Sequence, residues 1–285
     1  MPKLPIFSFN IIVPMSQKIL YISQEIFPYL DESVIANISR YLPQAIQDRG
    51  NEIRVFMPKY GNINERRNQL HEVIRLSGLN LIIDETDHSL VIKVASIQSA
   101  RIQVYFIDNE DFFENREIFT DEKGVEYNDN DERSIFFVRG VLETIKKLRW
   151  VPDVIHCHGW FTALCPLYIK CGYADDPCFK DARVVYSVYD ESFQNTFNSN
   201  FAEKLRFEGI GDPEVRKINE MGIIDYHKLT RLAVDFSDGI VQGSEKIDPK
   251  IEQYIREKQL IFLPYEADME KSAAAIDALY ENICR

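Results

Sequence analysis

The sequence predicts a doubly wound α/β domain built on a mostly parallel sheet. Three observations carry that prediction. Short β-branched and aromatic runs, KILYIS at 18–23, EIRVFMP at 52–58, PDVIHCH at 152–158 and ARVVYSVY at 182–189, read as buried strands. Between them lie stretches with apolar residues at helical spacing, so that strand and helix alternate as in βαβ units. The chain has 285 residues, 45% hydrophobic and 27% charged, which suits one large α/β domain and argues against intrinsic disorder.

Each element follows in order. After strand 18–23 and a turn at Pro28, residues 34–49 place Ile35, Ile38, Leu42, Ala45 and Ile46 on one helical face, and Gly50 ends that helix. Strand 52–58 completes a βαβ unit. From 71 to 108 the period shortens toward two, in EVIRLSG, SLVIKVAS and RIQVYFID, which predicts a β-rich insertion returning to the sheet. Residues 129–148 form a long amphipathic helix carrying Ile135, Phe136, Val138, Leu142 and Ile145. Strand 152–158 leads into a helix over 162–170, and strand 182–189 follows. Residues 195–222 are polar and predict loops and short helices around a cleft. The tail alternates again: helix 225–233, strand 239–242, helix 249–257, strand 260–264 and a final helix from 266. No repeat or linker interrupts this, so residues 18–285 read as one domain, with residues 1–17 a leader of unsettled status and either Met1 or Met15 as the start.

Charge and cysteine usage exclude several functions. Lys plus Arg (33) against Asp plus Glu (45) gives 33 − 45 = −12, the wrong sign for a nucleic-acid binder. The five cysteines, Cys157, Cys165, Cys171, Cys178 and Cys284, include no C-x-x-C pair, so no metal site and no cofactor are expected, and the compartment reads as reducing and cytoplasmic. No apolar run reaches the ~18 residues a membrane span needs.

Several segments together resemble the N-terminal domain of bacterial glycogen and plant starch synthases, glycosyltransferase family 5. KILYISQEIFPYL followed by ISRYLPQAIQDRGNEIRVFMPKYG looks like that family's first βαβ unit, with a P-[KR]-Y-G turn at 58–61 that contains Tyr60. VYFIDNEDFFENREIF, then Y-x-D-N-x-x-R from Tyr127 to Arg133, are similar to the family pattern, and PDVIHCHGWFTALCPLYIK is the most specific match. The resemblance runs from about 18 to 245. It implies a Rossmann-like fold, the single N-terminal half of a GT-B glycosyltransferase, with glucan chains and ADP-glucose as the family's ligands.

The same resemblance locates altered chemistry. The family's Lys-Thr-Gly-Gly-Leu loop, whose backbone and cation meet the donor diphosphate, corresponds to Asp31, Glu32, Ser33, Val34 and Ile35 here. A carboxylate about 5 Å from a phosphate costs on the order of 3 kcal/mol at an effective dielectric of 20. Read from the residues alone, Asp31, Glu32 and Ser33 make an acidic helix start. The family's H-x-H-D-W-H-T reads His156, Cys157, His158, Gly159, Trp160, Phe161, Thr162, so the acid is gone while His158 and Trp160 remain. Its Thr-[IV]-His-Asn motif reads Ser187, Val188, Tyr189, Asp190, with Gln194 retained.

After Glu245 only about forty residues remain, whose final helix corresponds to the terminal helix that crosses back onto the first domain in GT-B enzymes, and the donor-binding half is expected to be absent. The resemblance thus implies a non-catalytic glucan-binding or regulatory homologue, with Tyr60, Asp129, Asn130, His158 and Trp160 as candidate glucan contacts and no catalytic residue. Two alternatives stand beside it: a glucosyltransferase using ADP-glucose with a partner chain supplying the second domain, and a pure interaction module. The implied partners are an α-glucan or an active glycogen synthase chain, with homo- or hetero-oligomeric contact left open.

Overall fold

The computed structural model describes residues 16–285, so the expected leader lies outside the described residues except for Ser16 and Gln17. Ten strands follow in chain order: β1 (Lys18–Ser23), β2 (Glu52–Pro58), β3 (His71–Glu72), β4 (Leu79–Ile83), β5 (Thr86–Ile97), β6 (Ile102–Asp108), β7 (Val154–His158), β8 (Arg183–Val188), β9 (Gly239–Gln242) and β10 (Ile261–Leu263). They lie in the order β10-β9-β8-β7-β1-β2-β6-β5-β3, with β4 hydrogen-bonded to β5. From β10 through to β6 every neighbouring pair is parallel, while β5 returns antiparallel to β6 and pairs antiparallel with β3 and β4.

Burial explains the parallel centre. Ile19, Leu20, Tyr21 and Ile22 of β1 are all enclosed, as are Val154, Ile155 and Cys157 of β7, the continuous apolar signature of strands covered on both faces. The helix Val34–Asp48 packs against β1, β2 and the terminal helix Met269–Ile283, while the helix Asn130–Leu148 lies over β2 and β6 and the helix Tyr226–Asp235 over β8. Ser33 caps the first of these helices, its Oγ accepting from the Ala36 N–H at 2.9 Å.

Two expectations need correction. Of the run EVIRLSG only Glu72 enters the sheet, in the two-residue strand His71–Glu72; Ile74 is 82% exposed, and the next strand lies further on, at Leu79–Ile83. There Asp84 and Glu85, at φ of 47° and 65°, close a two-residue hairpin without the Asn-Gly or Asp-Gly pair that would have marked it. The expected helix over 162–170 is instead a 3₁₀ turn at Trp160–Thr162, a short α turn at Cys165–Leu167 and a wide π turn at Tyr168–Gly172. The wide turn brings the Cys171 carbonyl so close to Gly209 that a Cβ there would lie 2.0 Å from it, an approach that helical periodicity does not encode.

The chain steps outward from β1 through β2 to β6 and β5, then returns to the other side of β1 and steps outward through β7 to β10. The carboxyl ends of β1 and β7 therefore flank the point where the winding reverses, the place where open α/β sheets form their ligand crevice.

Candidate functional site

A cleft of about 530 Å³ lies at that point. Its wall is built from the segment after β1 (Gln24, Glu25), the start of the first long helix (Ser33, Val34, Ile35), Trp160 after β7, the segment after β8 (Tyr189 to Ser192) and the segment after β9 (Ser244, Glu245, Lys246), with Phe119 on one side. A second cavity of about 820 Å³ shares Asp190, Glu191, Ser192, Glu245 and Lys246 with it, so the two form one groove along the carboxyl edge of the sheet. Four carboxyl groups line the first cleft (Glu25, Asp190, Glu191 and Glu245) against the single cation Lys246.

Gln24 organises the floor. Its Nε2 donates to Glu191 Oε2 at 2.9 Å and to Glu25 Oε1 at 3.2 Å, and its Oε1 accepts from the Phe161 N–H at 3.2 Å. Glu191 Oε1 accepts from the Trp160 N–H at 2.8 Å. Burial pushes the Glu191 carboxyl up to about 8, the bonds from Gln24 and Trp160 pull it back, and neighbouring Glu25 adds to the rise. Glu25 in turn accepts from Ser33 Oγ at 2.6 Å, so the start of the helix Val34–Asp48 is closed by a side chain already paired with a carboxylate.

The candidates read from the sequence fall into two groups. Asp31, Glu32 and Val34 are exposed and Ser33 partly so, and of these Ser33 and Val34 line the cleft. Trp160, Tyr189 and Asp190 line it, with Gly159 and Phe161 buried behind them. Gly159 has φ of 86°, and a Cβ there would lie 2.3 Å from Gln24 Cδ. The glutamine amide therefore fills the space that a side chain at 159 would take.

The expected glucan contacts are placed differently. Tyr60 is fully enclosed, its ring against Phe113, Phe119 and Phe161, so it offers no face to a ligand in solution. Trp160 is 2% exposed, packed against Phe119 at 4.5 Å and Phe193 at 4.8 Å, and offers no open ring face. Asp129 is committed to Arg116, whose Nη1 lies 2.8 and 2.6 Å from its two oxygens. Asn130 donates to the Phe119 carbonyl and accepts from Arg133 at 2.7 Å. Arg133 itself is buried and donates to the carbonyls of Phe112, Glu117 and Ile118, so the Y-x-D-N-x-x-R segment fastens the loop before it onto the helix Asn130–Leu148.

His158 is also enclosed. Its Nδ1 lies 2.6 Å from the Tyr189 hydroxyl, and burial pulls its pKa down to about 3, so the ring is neutral and holds Tyr189 in place. His156, likewise pushed well below its ordinary range by burial and then by His158, joins Tyr280 of the terminal helix to Ser187 of β8. The residues that the sequence did not single out are Gln24, Glu25, Glu191, Glu245, Phe119 and Phe193. The last two, partly exposed beside Trp160, are the aromatic surfaces the groove actually offers.

Among the described residues no helix is long and apolar enough to cross a membrane. Comparison with known proteins agrees with this architecture. The model of the starch synthase catalytic domain family matches residues 18–259. The chain is 38% identical over 235 residues to the glycogen synthase of Chlorobium phaeobacteroides, covering 80% of this chain and 48% of that protein. It is 41% identical over 189 residues to the glycogen synthase of Pelodictyon phaeoclathratiforme, covering 66% of this chain and 39% of that one. The chain thus spans about half the length, or less, of these relatives. Among solved structures, the catalytic domain of starch synthase IV from Arabidopsis thaliana bound to ADP and acarbose superposes with a TM-score of 0.69 at 20% identity, over 87% of this chain and 51% of that one, a likeness of fold. A family match across nearly all of the sheet, on a mixed α/β fold with its crevice at the winding reversal, places this chain in the starch synthase catalytic domain family.

Proposed function

We propose that this chain is a glycogen/starch synthase homologue that holds α-glucan in the groove at the carboxyl edge of its sheet and does not transfer glucose by itself. The observation that carries this reading is the polarity of the cleft. Glu25, Asp190 and Glu245 line it, Lys246 alone among its lining opposes them, and exposed Asp31 and Glu32 immediately precede the lining residue Ser33 in the chain. Transfer from a sugar nucleotide requires donors preorganised around a leaving diphosphate, and this wall presents acceptors instead. A neutral glucan is favoured by the same wall: its hydroxyls donate to Glu25, Asp190 and Glu245, accept from Lys246, and its ring faces lie against Phe119 and Phe193.

The alternative, a glucosyltransferase that gains the rest of its donor site from a partner chain, is favoured by one observation: the relatives at 38% and 41% identity are named glycogen synthase. A radiolabel assay separates the two. The purified chain, given ADP-glucose and glycogen, is expected to incorporate no label above a no-protein control; ADP-glucose-dependent chain growth would establish the alternative.

A further inference from the structure

Gln24, Gly159 and Glu191 act as one unit at the carboxyl ends of β1, β7 and β8. The absence of a side chain at Gly159 admits the Gln24 amide, and Gln24 then holds Glu191 from one side while the Trp160 N–H holds it from the other. Two consecutive main-chain donors, that of Trp160 at the wall of the cleft and that of Phe161 enclosed behind it, are thereby both taken by oxygens of the chain itself, at 2.8 and 3.2 Å. An unoccupied main-chain N–H at the wall is what a phosphoryl oxygen needs in such a crevice. An incoming phosphate would have to displace an oxygen already in place, and the displaced Glu191 would lose the Trp160 and Gln24 donors that hold it.

We propose that Glu191 is the specificity-determining residue of this cleft: its carboxyl occupies the Trp160 N–H from within the chain, barring phosphate-bearing ligands while leaving the groove open to uncharged, hydroxyl-rich ones. The second half of that statement rests on the proposed function, whereas the first half stands on the hydrogen bonds alone. The side chain keeps an acceptor oxygen toward Trp160 whether or not the carboxyl is protonated. Occupancy of the donor is therefore separable from charge by substitution. Glu191→Gln removes the ionisable group and retains an oxygen; Glu191→Ala removes both.

Calorimetric titration of ADP, and separately of inorganic pyrophosphate, into the full chain at pH 7 tests this. Glu191→Ala is expected to bind both probes at least about tenfold more tightly than wild type, the loss of an occupying acceptor freeing one donor, and Glu191→Gln is expected to resemble wild type. Equal affinity in all three proteins, or an equal gain in the Gln and Ala variants, would overturn the assignment. Thermal unfolding establishes that each variant is folded, and Glu191→Ser repeats the comparison should the alanine variant not be. Glycogen retardation of the wild type, measured separately, reports on the glucan reading, so its failure would leave the ADP comparison still decisive for Glu191.

Discussion

At the scale of single residues, the cleft shows how burial changes what a carboxyl can do. Glu191 titrates at about 8 in the fold against an ordinary value of 4.5. Between those two values the native state carries more protons than the unfolded chain, so this group lowers stability progressively as pH rises from 4.5 to 8. Replacing it with glutamine removes that penalty while keeping the shape. Glu191→Gln is therefore expected to be more stable relative to wild type at pH 9 than at pH 5, by on the order of 1–3 kcal/mol in urea unfolding. A difference between the two proteins that does not change with pH would contradict this account. Nothing in the sequence marked Glu191: it stands in a polar loop two residues past Tyr189, and its burial arises only because the end of β8 abuts the turn after β7. Gly159 was visible as a lost acid, but its positive φ and the glutamine lying over it depend on β1, more than a hundred residues earlier.

At the scale of elements, the strands were legible because each is a short run dominated by β-branched and aromatic residues. Strands β1, β2, β7 and β8 lie within a residue or two of the positions their side chains predict. The hairpin of β4 and β5 was not, since its turn uses left-handed Asp84 and Glu85 without a glycine. The terminal helix Met269–Ile283 illustrates a further limit of periodicity. Its pattern predicts an apolar face, which Ala273, Ile276 and Leu279 provide, but not that the Tyr280 hydroxyl reaches beneath the sheet to Tyr21 at 3.0 Å and to His156. Through His156 the chain of bonds continues to Ser187, tying β1, β7 and β8 to the last helix. Tyr280→Phe keeps the packing and removes the shared hydroxyl, leaving the buried Tyr21 hydroxyl and His156 Nδ1 without that partner. A loss of about 1–3 kcal/mol in urea unfolding is expected; an unchanged midpoint would mean that this network contributes no net stability.

At the scale of the whole molecule, the order of strands places every functional element at one edge. Reversal of winding between β1 and β7 gathers four loops there, and those loops bring carboxyl groups where a phosphate-binding crevice would need donors. The family was legible in the order and spacing of its motifs, and the fold in the alternation of apolar strand runs with helical stretches. The ligand-facing surface is less so: the motifs point to Tyr60 and Trp160 as glucan contacts, yet both are enclosed, and partly exposed Phe119 and Phe193 flank the groove beside Trp160. Native gel electrophoresis with and without embedded glycogen tests the central claim most directly, applied to the wild type and to Phe119→Ala with Phe193→Ala. Retardation of the wild type by glycogen, relieved in the double variant, is the predicted result. Wild-type mobility that glycogen leaves unchanged would contradict the claim that this groove holds α-glucan.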